Sequence, residues 1–303
     1  MTTSSESRSA PPPRGAAASP PSLPSLRASA APSTPGEHRA PAEFLTRRFE
    51  ELRSAGRRAL VVYITAGFPD REQSLELLCR IADAGADVIE MGIPFSEPLA
   101  DGPVIQRSTE RALAQGVTLD DAMELVQRAS VPVPVVLFTY LNPLLAAGGD
   151  VLQRAARAGM HGVLVTDLPV GADPEREAWL GEGPLAFVRL VAPTTPQARM
   201  AEIARHGSGF VYLISRLGVT GERPALDPAL PGTIERLRAV TSLPVCVGFG
   251  IARPEQAAAV SRVADGVAVG SAVVRASEQS VSAAADLVRA MRQAMDAERS
   301  AVR

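Results

Sequence analysis

The chain has 303 residues, of which 46% are apolar and 21% charged, and its formal net charge is −2. That is a globular composition, long enough for one large domain or two small ones, with neither the basic patch of a nucleic-acid binder nor an apolar run near the ~18 residues of a membrane helix. All 31 basic residues are Arg, and the absence of lysine excludes a lysine Schiff base, covalently anchored pyridoxal phosphate and a P-loop lysine.

Residues 1–42 read as a separate region. The segment SAPPPRGAAASPPSLPSLRASAAPSTP is rich in Pro, Ala and Ser, and such a stretch buries too little surface to offset its ordering entropy. It is expected to be a disordered extension. Its Ser and Arg content also fits a targeting peptide, although its prolines oppose an amphipathic transit helix. The expected location is the cytoplasm, with organelle targeting as the alternative.

From Phe44 the chain alternates. FLTRRFEELRSAG predicts a helix ending at Gly56, and ALVVYIT (59–65) a buried strand. A helix over 71–85 leads to a strand at 86–91. After an irregular loop come helices at 104–114 and 119–128, then a strand at 133–139. Next are a helix at 151–159, a strand at 162–166, a helix at 174–181 and a strand at 185–191. A helix at 196–207 precedes a strand at 209–215, a helix within 229–241 and a strand at 243–249. The pattern closes with a helix at 254–263, a strand at 266–270, a short helix opening near Ser271 and a long helix over 281–299. Eight short β-branched runs, each followed by a helix, predict a (β/α)8 TIM barrel over residues 43–303 with an added N-terminal helix. A doubly wound open sheet is the rival. It lacks support because TAGFPD after the first strand is not a Gly-rich dinucleotide turn.

Active sites of such barrels lie at the C-terminal ends of the strands. There the segment IEMGIPFSEPLADGP (89–103) crowds carboxylates into an irregular loop. Glu90 ends the second strand and Asp101 lies in the loop. Burial at the mouth of an apolar barrel raises a carboxyl pKa and suits it to proton transfer, while a second carboxylate in another setting stays ionised. The alternatives are an Arg partner for Glu90 and a helix cap for Asp101. Three glycine-bearing turns, GVTGE (218–222), GFGI (248–251) and VGSAV (269–273), follow the last three strands and predict a phosphate grip built on backbone N–H groups. Ser271 adds a hydroxyl. Tyr63, Tyr140, Tyr212 and Phe249 fall near strand ends and suggest an aromatic pocket for a flat apolar group. His161 and His206 fall at the opposite face and read as structural, as do the widely separated Cys79 and Cys246. No metal-ligand spacing is found.

These stretches resemble the tryptophan synthase alpha chain family. The resemblance rests on VVYITAGFPD, GADVIEMGIPFSEPLADGPVIQ, LFTYLNP, GVLVTDLP, APTTP, GFVYLISRLGVTG, VGFGI and ADGVAVGSAVV, in the family's order and spacing from about Phe44 to Ala294. It implies retro-aldol cleavage of indole-3-glycerol phosphate to indole and glyceraldehyde 3-phosphate, without metal or cofactor in this chain. Carried over by resemblance, Glu90 is the catalytic glutamate and Asp101 the aspartate that holds the indole N–H. Gly221, Gly250, Gly270 and Ser271 are the phosphate positions, and Tyr63, Phe138, Leu164 and Tyr212 line the indole pocket. Arg216 and Thr220 belong to a lid over 215–226, with Thr220 bonding the aspartate on closure. The resemblance further implies a pyridoxal-phosphate beta chain as partner in an α2β2 complex, met partly through Pro94 and Glu97. Two departures stand out: Glu97 where the family usually has Asp, and Leu217 where a smaller residue is common. A standalone lyase releasing free indole would share every catalytic residue.

Overall fold

The computed structural model describes residues 40–214, 228–248 and 250–301. Its eight strands are β1 (Ala59–Thr65), β2 (Val88–Gly92), β3 (Val135–Thr139), β4 (Gly162–Val165), β5 (Ala186–Val191), β6 (Val211–Ile214), β7 (Val245–Gly248) and β8 (Gly266–Val269). Each pairs in parallel with the next, and β8 returns to β1, closing the barrel. The expected fold is therefore observed. Strands start later than expected where Pro134 and Pro244 precede β3 and β7, because proline has no N–H to give a neighbouring strand.

Period-two alternation sorts each strand into two faces. Leu60, Val62 and Ile64 of β1 face the outer helices, while Ala59 and Val61 face the interior. The interior also takes Val88, Val136, Leu164, Val188 and Cys246 from the other strands, and Phe210 from just ahead of β6. Helix α1 (Ala40–Ser54) packs Leu45, Phe49 and Leu52 onto this interior cluster. Full burial of such side chains stabilises by about 1.5–3 kcal/mol each. Helix α1 begins four residues ahead of the expected Phe44, with Pro41 in its first turn, where a missing N–H costs nothing.

The same end of the barrel carries a buried ionic group. Asp87, just before β2, accepts from the Leu60 N–H at 2.9 Å, from Arg48 at 2.6 Å and from Arg292 at 2.9 Å. Arg292 belongs to α12 (Val281–Ala301), so one carboxylate ties the first and last helices to two strands. His161 also lies here. Its Nδ1 accepts from the Val135 N–H, its ring packs on Phe44, and burial lowers its pKa to about 4. His206 caps the helix α8 (Gln197–Arg205), and its carbonyl accepts from Arg189. Both histidines are structural, as expected. Cys246 is buried and Cys79 only partly so, and both are free.

The remaining helices follow their strands: α2 (Arg71–Asp83), α3 (Pro103–Ala114), α4 (Leu119–Ala129), α5 (Leu141–Ala147), α6 (Val151–Arg157), α7 (Pro174–Gly181), α9 (Leu230–Arg238), α10 (Pro254–Ser261) and α11 (Ser271–Gln279). Helix α4 opens with a capping box between Thr118 and Asp121. Helix α5 has no counterpart among the predicted elements. Its first N–H, that of Leu141, donates to Asp167 Oδ1 at 2.8 Å, so its cap comes from the loop after β4 rather than from its own segment.

Candidate active site

Glu90 sits on β2 in register with Tyr63 of β1 and Val136 of β3. Its neighbours Ile89 and Met91 pack into the outer core, so the alternation turns Glu90 inward. It is 1% exposed, its Oε1 has no hydrogen-bond partner, and burial raises its pKa to about 8. An uncharged carboxyl at neutral pH is the result. The alternative of an Arg partner is not realised, since no ion pair is found for Glu90 among the described residues.

Asp101 precedes α3 but does not cap it. Gly102 occupies the cap position with no side-chain bond, and the Asp101 carbonyl instead accepts from Gln106 Nε2 at 2.9 Å. The carboxyl is nearly buried. Desolvation raises its pKa to about 6, opposed by a hydrogen bond from Tyr140. Tyr140, between β3 and α5, also accepts from the Ala100 N–H at 2.9 Å. Its phenol thus holds the acidic loop at two consecutive residues. The sequence suggested Tyr140 as a pocket wall; the bracing depends on a contact forty positions away.

Tyr63, Phe68, Val104, Ile105 and Val274 form a small apolar cluster, with Phe138 packed on it. The Tyr63 and Phe138 rings meet edge to face, 5.2 Å apart. Leu164 of β4 and Tyr212 of β6 are buried in the barrel interior. Burial pushes both the Tyr63 and Tyr212 phenols well up, and Glu90 adds to each shift. Four of the predicted pocket positions therefore line one barrel, two of them coupled to the carboxyl on β2.

Gly250 follows β7 with a left-handed φ of 85°, a conformation that a side chain disfavours. Gly270 is the cap of α11, without a side-chain bond of its own, and Ser271 is the first helical residue. Gly221, Arg216 and Thr220, together with Leu217 and Phe249, lie outside the described residues. In the acidic loop Pro94 is buried, Glu97 is exposed, and Leu99 is 85% exposed. Thr65 and Ser108, buried beside Tyr63, were not singled out from sequence; a hydroxyl chain between a strand and a helix leaves no pattern in the order of residues. Among the described residues no group of three or more His, Cys, Asp or Glu is placed to hold a metal ion, and no helix is long and apolar enough to cross a membrane.

Comparison with known proteins extends this geometry to a family. Residues 49–302 match the family model of the tryptophan synthase alpha chain. The chain is 47% identical over 237 residues to the tryptophan synthase alpha chain of Desulfatibacillum aliphaticivorans, covering 77% of this chain and 89% of that one. It is 48% identical over 248 residues to that of Gluconacetobacter diazotrophicus, covering 79% and 89%. Among solved structures it resembles Mycobacterium tuberculosis tryptophan synthase, with a TM-score of 0.78, 35% identity and coverage of 83% and 97%. Tryptophan synthase subunit alpha of Legionella pneumophila aligns with a TM-score of 0.76, 37% identity and coverage of 84% and 98%. The fold, the matched span and these identities place the chain in the tryptophan synthase alpha chain family, the lyases that cleave indole-3-glycerol phosphate.

Proposed function

We propose that Glu90 and Asp101 carry the cleavage of indole-3-glycerol phosphate to indole and glyceraldehyde 3-phosphate at this barrel mouth. One observation supports it above the others: Glu90 is a buried carboxyl with an unpartnered oxygen, held uncharged at neutral pH and turned into the barrel. Such a group enters the reaction as an acid. It donates its proton to the indole C3, and Asp101, ionised above about pH 6, stabilises the positive charge that spreads to the ring N–H. The bond between C3 and the side-chain carbon then breaks, and its electron pair returns to the ring. Glu90, now a carboxylate, takes the hydroxyl proton as that carbon becomes the aldehyde. The step ends with Glu90 protonated again. It needs no Schiff base, in keeping with a chain without lysine.

Tyr63, Phe138, Leu164 and Tyr212 are the walls against the indole ring. The phosphate falls to the N–H groups at Gly250, Gly270 and Ser271, where a glycine turn meets a helix N-terminus. Gly221, to which the resemblance gives a phosphate contact, and Arg216 and Thr220, to which it gives a lid role, lie outside the described residues. Of the expected extension over residues 1–42, residues 1–39 lie outside the described residues, and residues 40–42 belong to α1.

The partner is a beta chain that carries pyridoxal phosphate, in an α2β2 complex in the cytoplasm. The acidic loop is the docking element. Pro94 shapes it, Glu97 offers the charge, and the exposed Leu99 offers an apolar contact. The relatives are named as alpha chains and the solved neighbours include tryptophan synthase, which favours this reading over a standalone lyase. The test is indole release from indole-3-glycerol phosphate with and without a beta chain. Slow turnover that rises by roughly ten-fold or more with the partner is expected. Fast turnover indifferent to the partner would establish the standalone lyase instead.

A further inference from the structure

Asp101 stands near the end of the loop that leaves β2 at Gly92. At the start of that loop the Ile93 N–H donates to the Phe138 carbonyl of β3 at 2.9 Å. Further along, the Leu99 N–H donates to the Glu97 carbonyl at 2.9 Å and the Asp101 N–H to the Pro98 carbonyl at 3.0 Å. These last two are turns within the loop. They shape it without fastening it to the barrel.

Two bonds from other elements fasten its far end. The Ala100 N–H donates to the Tyr140 hydroxyl at 2.9 Å. The Gln106 Nε2 of α3 donates to the Asp101 carbonyl at 2.9 Å. A carbonyl only accepts, so the amide turns its nitrogen there. Helix α3 is in turn fixed to β1 and the loop after it. Ser108 Oγ and Thr65 Oγ1 lie 2.7 Å apart, Gln115 Nε2 donates to the Pro69 carbonyl at 3.0 Å, and Val104 and Ile105 pack with Tyr63 and Phe68. Strands β1 and β3 flank β2, where Glu90 is in register with Tyr63 and Val136. Each neighbour of the Glu90 strand thus sends one tie to the backbone around Asp101: β3 through Tyr140, β1 through α3 and Gln106.

We propose that Gln106 is a positioning residue for the cleavage: its amide fixes the Asp101 backbone to α3 and so holds that carboxylate in register with Glu90 across the mouth. The proposal rests on the reading of Asp101 as the N–H acceptor. A carboxylate that must meet a ring N–H while Glu90 meets the ring carbon works only at a set separation from Glu90. A displacement of about 1 Å at a reacting group can cost roughly a hundred-fold in rate. With the Gln106 donor gone, Asp101 is tied through Tyr140 on one side while its own carbonyl is released.

The test is steady-state cleavage of indole-3-glycerol phosphate, with beta chain present, by the parent chain and by Gln106→Met, Gln106→Glu and Gln106→Lys. All four residues are good helix formers, so the substitutions leave the propensity of α3 nearly unchanged. Rates are counted per folded protein, from melting curves of each variant. Gln106→Met keeps the length without the donor and is expected to lower kcat by roughly ten-fold, with KM within about two-fold of the parent. Gln106→Glu keeps the shape but sets an ionised carboxylate against a carbonyl, and is expected to lose at least as much. Gln106→Lys restores an N–H donor and is expected to recover most of the lost kcat. Near-parent kcat in the Met and Glu variants, a loss that the Lys variant shares in full, or a change confined to KM overturns the proposal. Asp101→Asn separates the two readings. Near-parent cleavage by that variant would overturn the role of Asp101 itself, whereas lost cleavage there with near-parent kcat in Gln106→Met would overturn only the positioning role.

Discussion

The phenol of Tyr63 occupies the space where a side chain on Gly92 would begin: a Cβ there would stand 2.5 Å from Tyr63 Cε2 and closer still to the hydroxyl. Thr65 and Gly92 are paired across β1 and β2, so Tyr63 leans over the residue two places further along the next strand. Tyr212 does the same over Gly248, the partner of Ile214. Strand tilt in a closed barrel produces this lean, and glycine at the receiving position makes room for the ring.

Gly92→Ala and Gly248→Ala must each displace an aromatic ring from the mouth. Overpacking of this kind costs about 1–3 kcal/mol, and the displaced ring is a wall of the site. Loss of kcat/KM by roughly ten-fold or more, larger than the loss of stability accounts for, is the expected outcome. Steady-state kinetics beside urea unfolding checks it. Near-parent kinetics in both variants would mean that ring position is unimportant.

The two carboxyl pKa values set a bell-shaped profile. Asp101 must be ionised and Glu90 protonated, so kcat/KM is expected to fall below about pH 6 and above about pH 8. Stability moves with Glu90 as well. Its folded pKa lies above the unfolded value of 4.5, so the native state binds the proton more tightly. Its contribution is intact below pH 4.5 and is lost as pH rises through about 8. Glu90→Gln removes that loss. It is expected to be inactive and, relative to the parent, to gain stability between pH 5 and pH 9. Melting curves at the two pH values would contradict the assignment if the difference between the proteins did not grow.

Tyr140→Phe acts on Asp101 from the other side. The phenol bond lowers the Asp101 pKa against burial, and the same oxygen holds the Ala100 N–H. Its removal is expected to move the acid limb upward and to lower kcat by roughly ten-fold.

Asp87→Ala is a stability variant. The carboxylate is 1% exposed and serves a backbone N–H and three arginines, one of them the buried Arg292. Removal leaves that guanidinium without its buried partner, at a cost of about 3–5 kcal/mol. Chemical denaturation should show the loss. Turnover of the folded protein should stay near that of the parent, because Asp87 precedes β2 at the end opposite the carboxyls.

The barrel was legible in the residues because its cause is local. A strand buried on both faces must be an apolar β-branched run, and a helix covering it must repeat its apolar positions at 3.6. Glu90 and Asp101 were legible because a carboxylate beside a buried strand violates that pattern. Proline edges shifted the strand limits, and α5 escaped notice because its cap, Asp167, is supplied from another loop. The sequence by itself thus determined the order of elements, the two carboxyls and the glycine turns. Only the tertiary structure decided which protons they hold and who holds them in place. Burial sets the charge of Glu90, Tyr140 braces Asp101, and Thr65 meets Ser108 across a strand and a helix. Each of these depends on groups that closure of the barrel brings together, and desolvation exists only once it has closed.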